Sequence, residues 1–300
     1  MAETGKGRQQ ELLLGVMGDP VAQSKSPLMH GAALQALGIP GAYVPLHIVP
    51  DKLGEAVQAI RTLGFRGVNV TIPHKVAVME YLDKLDASAV EVGAVNTIVN
   101  DNGVLTGFNT DGIGYVRSLK TEAAAELAGT RILVLGAGGA ARGIVSALLH
   151  EQPASIHIAN RNEQRARELA EACRNKGTAA VISGIGMDEV QGMIGGMDIV
   201  INTTSVGMFP LMNDMPVNPA WLHEGMIVSD LIYNPLHTRL LTESLQRGCI
   251  IHGGLGMFVY QGAYALEYWT GRAAPADIMR QTIADCLGAQ AGEPDSGQAR

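Results

Sequence analysis

The stretch Arg131-Ile132-Leu133-Val134-Leu135-Gly136-Ala137-Gly138-Gly139-Ala140-Ala141 decides the fold. A short apolar run ends in a glycine turn, and Ala140 to His150 then read as a helix. The pattern is G-x-G-x-x-G/A. Its first glycine permits a tight turn, its second lets backbone approach a pyrophosphate, and small Ala141 allows close helix–strand packing. The positive end of the helix adds attraction for an anion. Glycine-rich turns also serve ordinary packing, but the preceding strand, the helix and a second strand at Ser155–Ala159 favour a dinucleotide site. That second strand ends at Asn160-Arg161-Asn162. An acidic residue there, about twenty residues past the glycines, would bind the ribose 2′-hydroxyl of NAD. Arg161 stands in its place, with Arg165 one helical turn on, and two guanidinium groups suit a 2′-phosphate. The expected cofactor is therefore NADP(H).

Working outward, β-branched runs alternate with helical patterns along the whole chain, which reads as α/β with mostly parallel sheets. Leu12–Gly18, Tyr43–Val49 and Gly67–Thr71 are strands of a first unit, Pro45 marking the second as an edge or strand end. Val95–Val99 and Val104–Thr106 flank Asn100-Asp101-Asn102-Gly103, a hairpin turn. Two domains follow: residues 1–113, completed by C-terminal helices 256–287, and a Rossmann-type doubly wound domain over 114–255. Small, polar residues 288–300 read as a disordered tail.

Composition narrows the function classes. The 300 residues are 47% hydrophobic and 17% charged, enough for a large core and, at this length, for two domains. A net charge of −7, from 22 basic and 29 acidic residues, argues against nucleic acid as a partner. No apolar run approaches the roughly 20 residues of a membrane span. The first ten residues are too polar for a secretory signal. Three cysteines, Cys173, Cys249 and Cys286, have no metal-ligand spacing, so a reducing cytoplasmic compartment and no metal are expected. The sequence fixes no oligomeric state, and a homodimer is kept beside a monomer.

The first unit carries polar residues in apolar text. In Ser24-Lys25-Ser26-Pro27, both serines of an extended segment point one way. Ser26 reads as the N-cap of a helix from Leu28 to Leu37 that Gly38 ends. Capping explains Ser26 but not Ser24; two hydroxyls at a positive helix end could equally hold a small carboxylate. Lys75, in Asn69-Val70-Thr71-Ile72-Pro73-His74-Lys75, falls in the first turn of a predicted helix, where a structural cation gains little. Asp111 stands at another helix start, and Asn96 on a strand. Each is ordinarily structural alone; together they suggest a pocket for a hydroxylated anion.

These segments, with Gly93-Ala94-Val95-Asn96-Thr97, Asn109-Thr110-Asp111, Asn202-Thr203-Thr204-Ser205-Val206-Gly207-Met208, Tyr233-Asn234-Pro235 and Gln261-Gly262-Ala263, resemble the successive motifs of shikimate dehydrogenases from Leu12 to Leu287. The resemblance implies a small-molecule substrate, shikimate or 3-dehydroshikimate, and a substrate domain beside an NADP domain. It implies that Ser24, Ser26 and Thr71, helped by Tyr233, hold the substrate carboxylate. Asn96, Asp111 and Gln261 would bind ring hydroxyls, and Lys75 would be catalytic, oriented by Asp111. Gly136, Ala137, Gly138, Gly139 and Ala140 would hold the diphosphate, and Asn160, Arg161 and Arg165 the adenosine phosphate. Leu231, Gly254 and Met257 fall at the nicotinamide-side positions. Two departures are Gly31, where the family usually has asparagine, and Asn162, where threonine is commoner.

The implied chemistry is reversible NADPH-linked reduction of 3-dehydroshikimate to shikimate, on the route to chorismate and the aromatic amino acids. An NAD-using quinate/shikimate dehydrogenase is the nearest rival, disfavoured by Arg161. A non-catalytic sensor with the same pocket has no need of both Lys75 and Asp111.

Overall fold

The computed structural model describes residues 11–123, 126–174 and 179–291. It divides into two compact units. One contains residues through Asn109 together with Gly262–Ile283; the other contains Thr110–Gln261 with the C-terminal helix from Ala284. The break in the chain thus precedes Asp111, and residues up to Gln261 group with the second unit.

In the first unit, β1 (Leu12–Gly18), α1 (Ser26–Leu37), β2 (Gly41–His47), α2 (Leu53–Thr62) and β3 (Gly67–Val70) come first. They are followed by β4 (Lys84–Leu85), α3 (Ala87–Val92), β5 (Thr97–Asp101) and β6 (Val104–Phe108). The sheet order is β2-β1-β3-β5-β6-β4, with β1 parallel to β2 and β3. Strand β5 runs antiparallel to both neighbours, joined to β6 through Asn102 and Gly103, whose positive φ values of 54° and 92° make the tight turn. Pro45, which cannot donate to a ladder, lies on the edge strand. Alternation sorts the side chains: Val44, Leu46, Val68 and Val70 pack with Leu53, Val57 and Ile60 of α2. Tyr43 and Asn69, the odd members of those runs, face the other way.

The second unit begins with α4 (Asp111–Glu122), β7 (Arg131–Leu135), α5 (Gly139–Leu149), β8 (Ser155–Asn160), α6 (Glu163–Arg174) and β9 (Val181–Gly186). It continues through α7 (Val190–Met193), β10 (Ile199–Asn202), β11 (Ile227–Asp230), α8 (Arg239–Gln246) and β12 (Ile250–His252). All its strands are parallel, in the order β12-β11-β10-β7-β8-β9. Ile132 and Val134 pack with α5 and α6, while Leu133 and Leu135 pack with α8 and the segment around Leu222. That two-sided burial is why β7 reads as a continuous apolar run. The chain closes with α9 (Gly254–Thr270) and α10 (Ala276–Ala291).

Three expectations need correction. Residues 72–76 form turns leading into a 3-10 helix at Ala77–Tyr81, so Lys75 precedes no α-helix and the dipole argument does not apply to it. The N-cap of α1 is Lys25; Ser26 is the helix's first residue, and Ser24 Oγ accepts from Ser26 N at 3.3 Å. Of the expected tail, residues 288–291 continue α10, whose closing residues include the helix formers Leu287, Ala289 and Gln290, and residues 292–300 lie outside the described residues.

Candidate functional site

The polar residues of the first unit collect at one end of its sheet. Strand β3 exits there, with Thr71 N donating to Met17 O at 2.9 Å and Asp19 N to Ile72 O at 2.9 Å. Half-buried Thr71 thus lies beside the end of β1, whose following loop carries Ser24 and Ser26. Because β5 is antiparallel, its entry meets the exit of β3, and Val70 N donates to Asn96 O at 2.8 Å. Val95 N donates to Lys75 O at 2.7 Å, which fixes the lysine's backbone one residue from Asn96. Ser24 and Lys75 are half-buried, whereas Ser26 and Asn96 are 7% and 2% exposed, so any ligand of these two meets groups already withdrawn from water. His74 is buried and shares a 2.6 Å hydrogen bond with Ile48 O, which makes it structural.

Behind this cluster lies a polar network that joins Asn69 and Asn96 to Tyr43 and Thr97, two residues with no expected role. Tyr43 Oη donates to Asn69 Oδ1 at 2.7 Å. Asn69 Nδ2 donates to Asn96 O at 3.1 Å and to Thr97 Oγ1 at 3.0 Å, and Thr97 Oγ1 donates to Asn96 Oδ1 at 3.0 Å. Tyr43 is stacked on His30, with ring centroids 4.3 Å apart and planes 6° from parallel. Neither nitrogen of buried His30 has a hydrogen-bond partner, and burial lowers its pKa to about 3, leaving a neutral platform.

In the second unit Asp111 opens α4 after Thr110, whose side chain makes no cap bond. Tyr233 is half-buried and stacks on Phe258 at 5.0 Å; burial raises its phenol pKa. Gln261, on α9, donates to Phe258 O at 2.8 Å.

The cofactor candidates surround the end of β7. Gly136 has φ 108°, and a Cβ there would lie 2.5 Å from Thr203 Oγ1, so the turn requires glycine. A Cβ on Gly138 or Gly139 would meet nothing within 4 Å: the open space lies against the start of α5, where the first turn carries no acidic residue. Ala137 is half-buried and Ala140 exposed, while Ala141 is fully buried against the core. Between β7 and β10 the strand order reverses direction, the position at which such sheets bind ligands. Asn160 ends β8, its Nδ2 donating to Asn162 O at 2.9 Å. Arg161 and Arg165 are exposed, and the nearby Glu163 pairs with Arg167 instead. Leu231 and Gly254 meet closely enough that a Cβ on the glycine would overlap the leucine carbonyl. Met257 and Leu231 both pack against the same apolar core. An uncovered backbone cradle at a helix start, with two arginines one strand away, fits NADP(H).

One buried acid was absent from the sequence reading. Asp230, 1% exposed at the end of β11, accepts from Asn202 Nδ2 at 3.0 Å, Ile232 N at 3.1 Å and Thr238 Oγ1 at 2.7 Å. Burial nevertheless lifts its pKa to about 6. Its signal in the sequence was an acid ending an otherwise apolar strand, two residues before Ile232.

No cluster of potential metal ligands occurs among the described residues, and no helix among them is long and apolar enough to cross a membrane.

The fold and these residues define a two-unit α/β protein of the dinucleotide-binding class. Residues 16–98 match the shikimate dehydrogenase substrate binding domain, 118–227 the shikimate/quinate 5-dehydrogenase model, and 254–284 the shikimate 5'-dehydrogenase C-terminal domain. The chain is 44% identical over 287 residues to a shikimate dehydrogenase (NADP(+)) of Moorella thermoacetica, covering 95% of this chain and 97% of the relative. A Thermus thermophilus shikimate 5-dehydrogenase solved with NADP(H) and shikimate aligns with TM-score 0.82 at 34% identity, over 92% of this chain and all of the other. A Corynebacterium glutamicum quinate dehydrogenase solved with NAD aligns with TM-score 0.86 at 30% identity, over 92% and 99%. The chain belongs to the shikimate dehydrogenase family.

Proposed function

We propose that this chain catalyses the reversible NADPH-linked reduction of 3-dehydroshikimate to shikimate, in the cytoplasm. The observation that carries the reading is the gathering of Ser24, Ser26, Thr71, Lys75 and Asn96 at one sheet end in a chain of this family. The serine and threonine hydroxyls can donate to a carboxylate, and amides to ring hydroxyls. Ser24, Ser26 and Thr71, with Tyr233, would hold the substrate carboxylate; Asn96, Asp111 and Gln261 would address the ring hydroxyls.

NADP(H), when bound, supplies the hydride for the 3-carbonyl carbon in reduction and takes it back in oxidation. Gly136–Ala140 would hold its diphosphate, Asn160, Arg161 and Arg165 its adenosine phosphate, and Leu231, Gly254 and Met257 would line its nicotinamide end. Lys75, as ammonium, donates a hydrogen bond and then a proton to the developing alkoxide at O3; its neutral amine accepts that proton in the oxidative direction. The ammonium stabilises charge that appears mainly in the transition state.

Arg161 favours NADP(H) over NAD(H). The test is an initial-rate comparison of shikimate and quinate with NADP⁺ and NAD⁺, read at 340 nm. Shikimate with NADP⁺ is expected to be the fastest pair. Faster turnover of quinate with NAD⁺ would overturn both assignments, and binding without absorbance change would make the chain a sensor.

A further inference from the structure

Asn96, proposed above to address a ring hydroxyl of the substrate, is held by a line of buried side chains that starts at Tyr43. From Tyr43 the bonds run in one direction, through Asn69 and Thr97, to the side-chain oxygen of Asn96. Each member is at most 7% exposed. The direction has a chemical consequence. Asn69 Oδ1 accepts from Tyr43, so its amide nitrogen must face Thr97; that hydroxyl in turn gives its one proton to Asn96 Oδ1. The amide of Asn96 is thereby set with its oxygen toward Thr97, and its NH₂ is the end with which it would address an oxygen of a ring hydroxyl. A flipped Asn96 amide would offer an acceptor there instead.

We infer that Tyr43 is a positioning residue for substrate recognition: its hydroxyl holds the Asn69 amide and so, through Thr97, sets the orientation of the Asn96 amide. The ring itself is held independently, stacked on His30 and 6.2 Å from Trp269 between centroids. The packing and the hydroxyl can therefore be separated by a single substitution. The inference rests on the substrate reading above and deepens it, because recognition of a ring hydroxyl then depends on a phenol of the edge strand β2.

Tyr43→Phe keeps the stacked ring and removes the link. It is expected to raise KM for shikimate about tenfold, the scale for leaving a buried polar partner unmatched, with kcat within about threefold and KM for NADP⁺ unchanged. Thr97→Val cuts the same chain at its far end and is expected to move KM for shikimate the same way. In the Tyr43→Phe/Asn96→Ala double variant the two effects are expected to fall well short of the product of the singles, because both act on one amide. An unaltered shikimate KM in a folded, active Tyr43→Phe enzyme would overturn the inference even if its melting temperature fell, as would full multiplicativity in the double variant. A wild-type enzyme silent toward shikimate would overturn the functional reading first, and this inference with it.

Discussion

The two sheet ends solve their recognition problems with different materials. In the first unit the candidate site is made of side chains, and a hydrogen-bonded chain from Tyr43 ends on one of them, Asn96. In the second it is made largely of backbone: a glycine turn at Gly136, open space over Gly138 and Gly139, and the start of α5. A diphosphate is recognised by any array of N–H groups at a helix end, so the cradle needs little beyond the absence of Cβ atoms. A polyhydroxylated acid offers donors and acceptors in a fixed order, and only oriented amides and hydroxyls can match that order. The first kind of site fails when an atom is added, the second when one is removed or turned.

The largest expected effect belongs to the side-chain site. Lys75→Ala should fold and bind both ligands, yet lose kcat by about 10²–10⁴-fold, the usual worth of a positioned acid–base group. Near-normal steady-state turnover would remove Lys75 from the chemistry and leave the first unit a binding surface only.

Asp230 sharpens the comparison, because it is a buried, hydrogen-bonded side chain at a strand end of the second unit. Burial raises its carboxyl from 3.8 to about 6 in the folded protein. The native state therefore binds this proton more tightly than the unfolded state. Its contribution to stability is fully present below about pH 4 and is lost as pH rises toward and through about 6. The shift corresponds to roughly 3 kcal/mol as an order of magnitude. Urea unfolding of Asp230→Asn and wild type between pH 4 and 7 should show the variant gaining relative stability as pH rises. A difference that does not change with pH would mean that the acid stays ionised in both states.

A smaller effect is expected at the rim of the cradle. Arg161→Ala should raise KM for NADP⁺ by about 10–100-fold, the range for losing a hydrogen bond to a charged group, and leave KM for NAD⁺ nearly unchanged. Equal changes for both cofactors would move the 2′-phosphate contact elsewhere, with Arg165 the next residue to substitute.

The same contrast explains what could be read in advance. The parallel order around β7 was legible because its strand is apolar on both faces and its glycines have few alternative uses. The edge position of β2 followed from Pro45, and the β5–β6 hairpin from Asn102-Gly103. Strands β4, β9 and β12 passed unread: all three lie at sheet edges, and the strongest apolar pattern belongs to the centre. The helix expected at Lys75 is absent because the turns after Pro73 pass into a 3-10 helix, which leaves much the same polar punctuation as a helix start. Ser24, Lys75 and Asn96 looked ordinary one by one, and only the order of motifs along the chain singled them out. Tyr43 stayed hidden for a plainer reason. A tyrosine in an edge strand is indistinguishable from core until the antiparallel register sets Asn69 opposite Thr97.

The account turns on a hydride passing between a ring carbon and the nicotinamide while Lys75 handles the proton. Shikimate carrying deuterium at the carbon of its 3-hydroxyl, incubated with the enzyme and NADP⁺, tests this directly by mass spectrometry of the reduced cofactor. One deuterium per NADPH formed, with none lost to water, is the predicted result; NADPH lacking the label, or no NADPH at all, would contradict it.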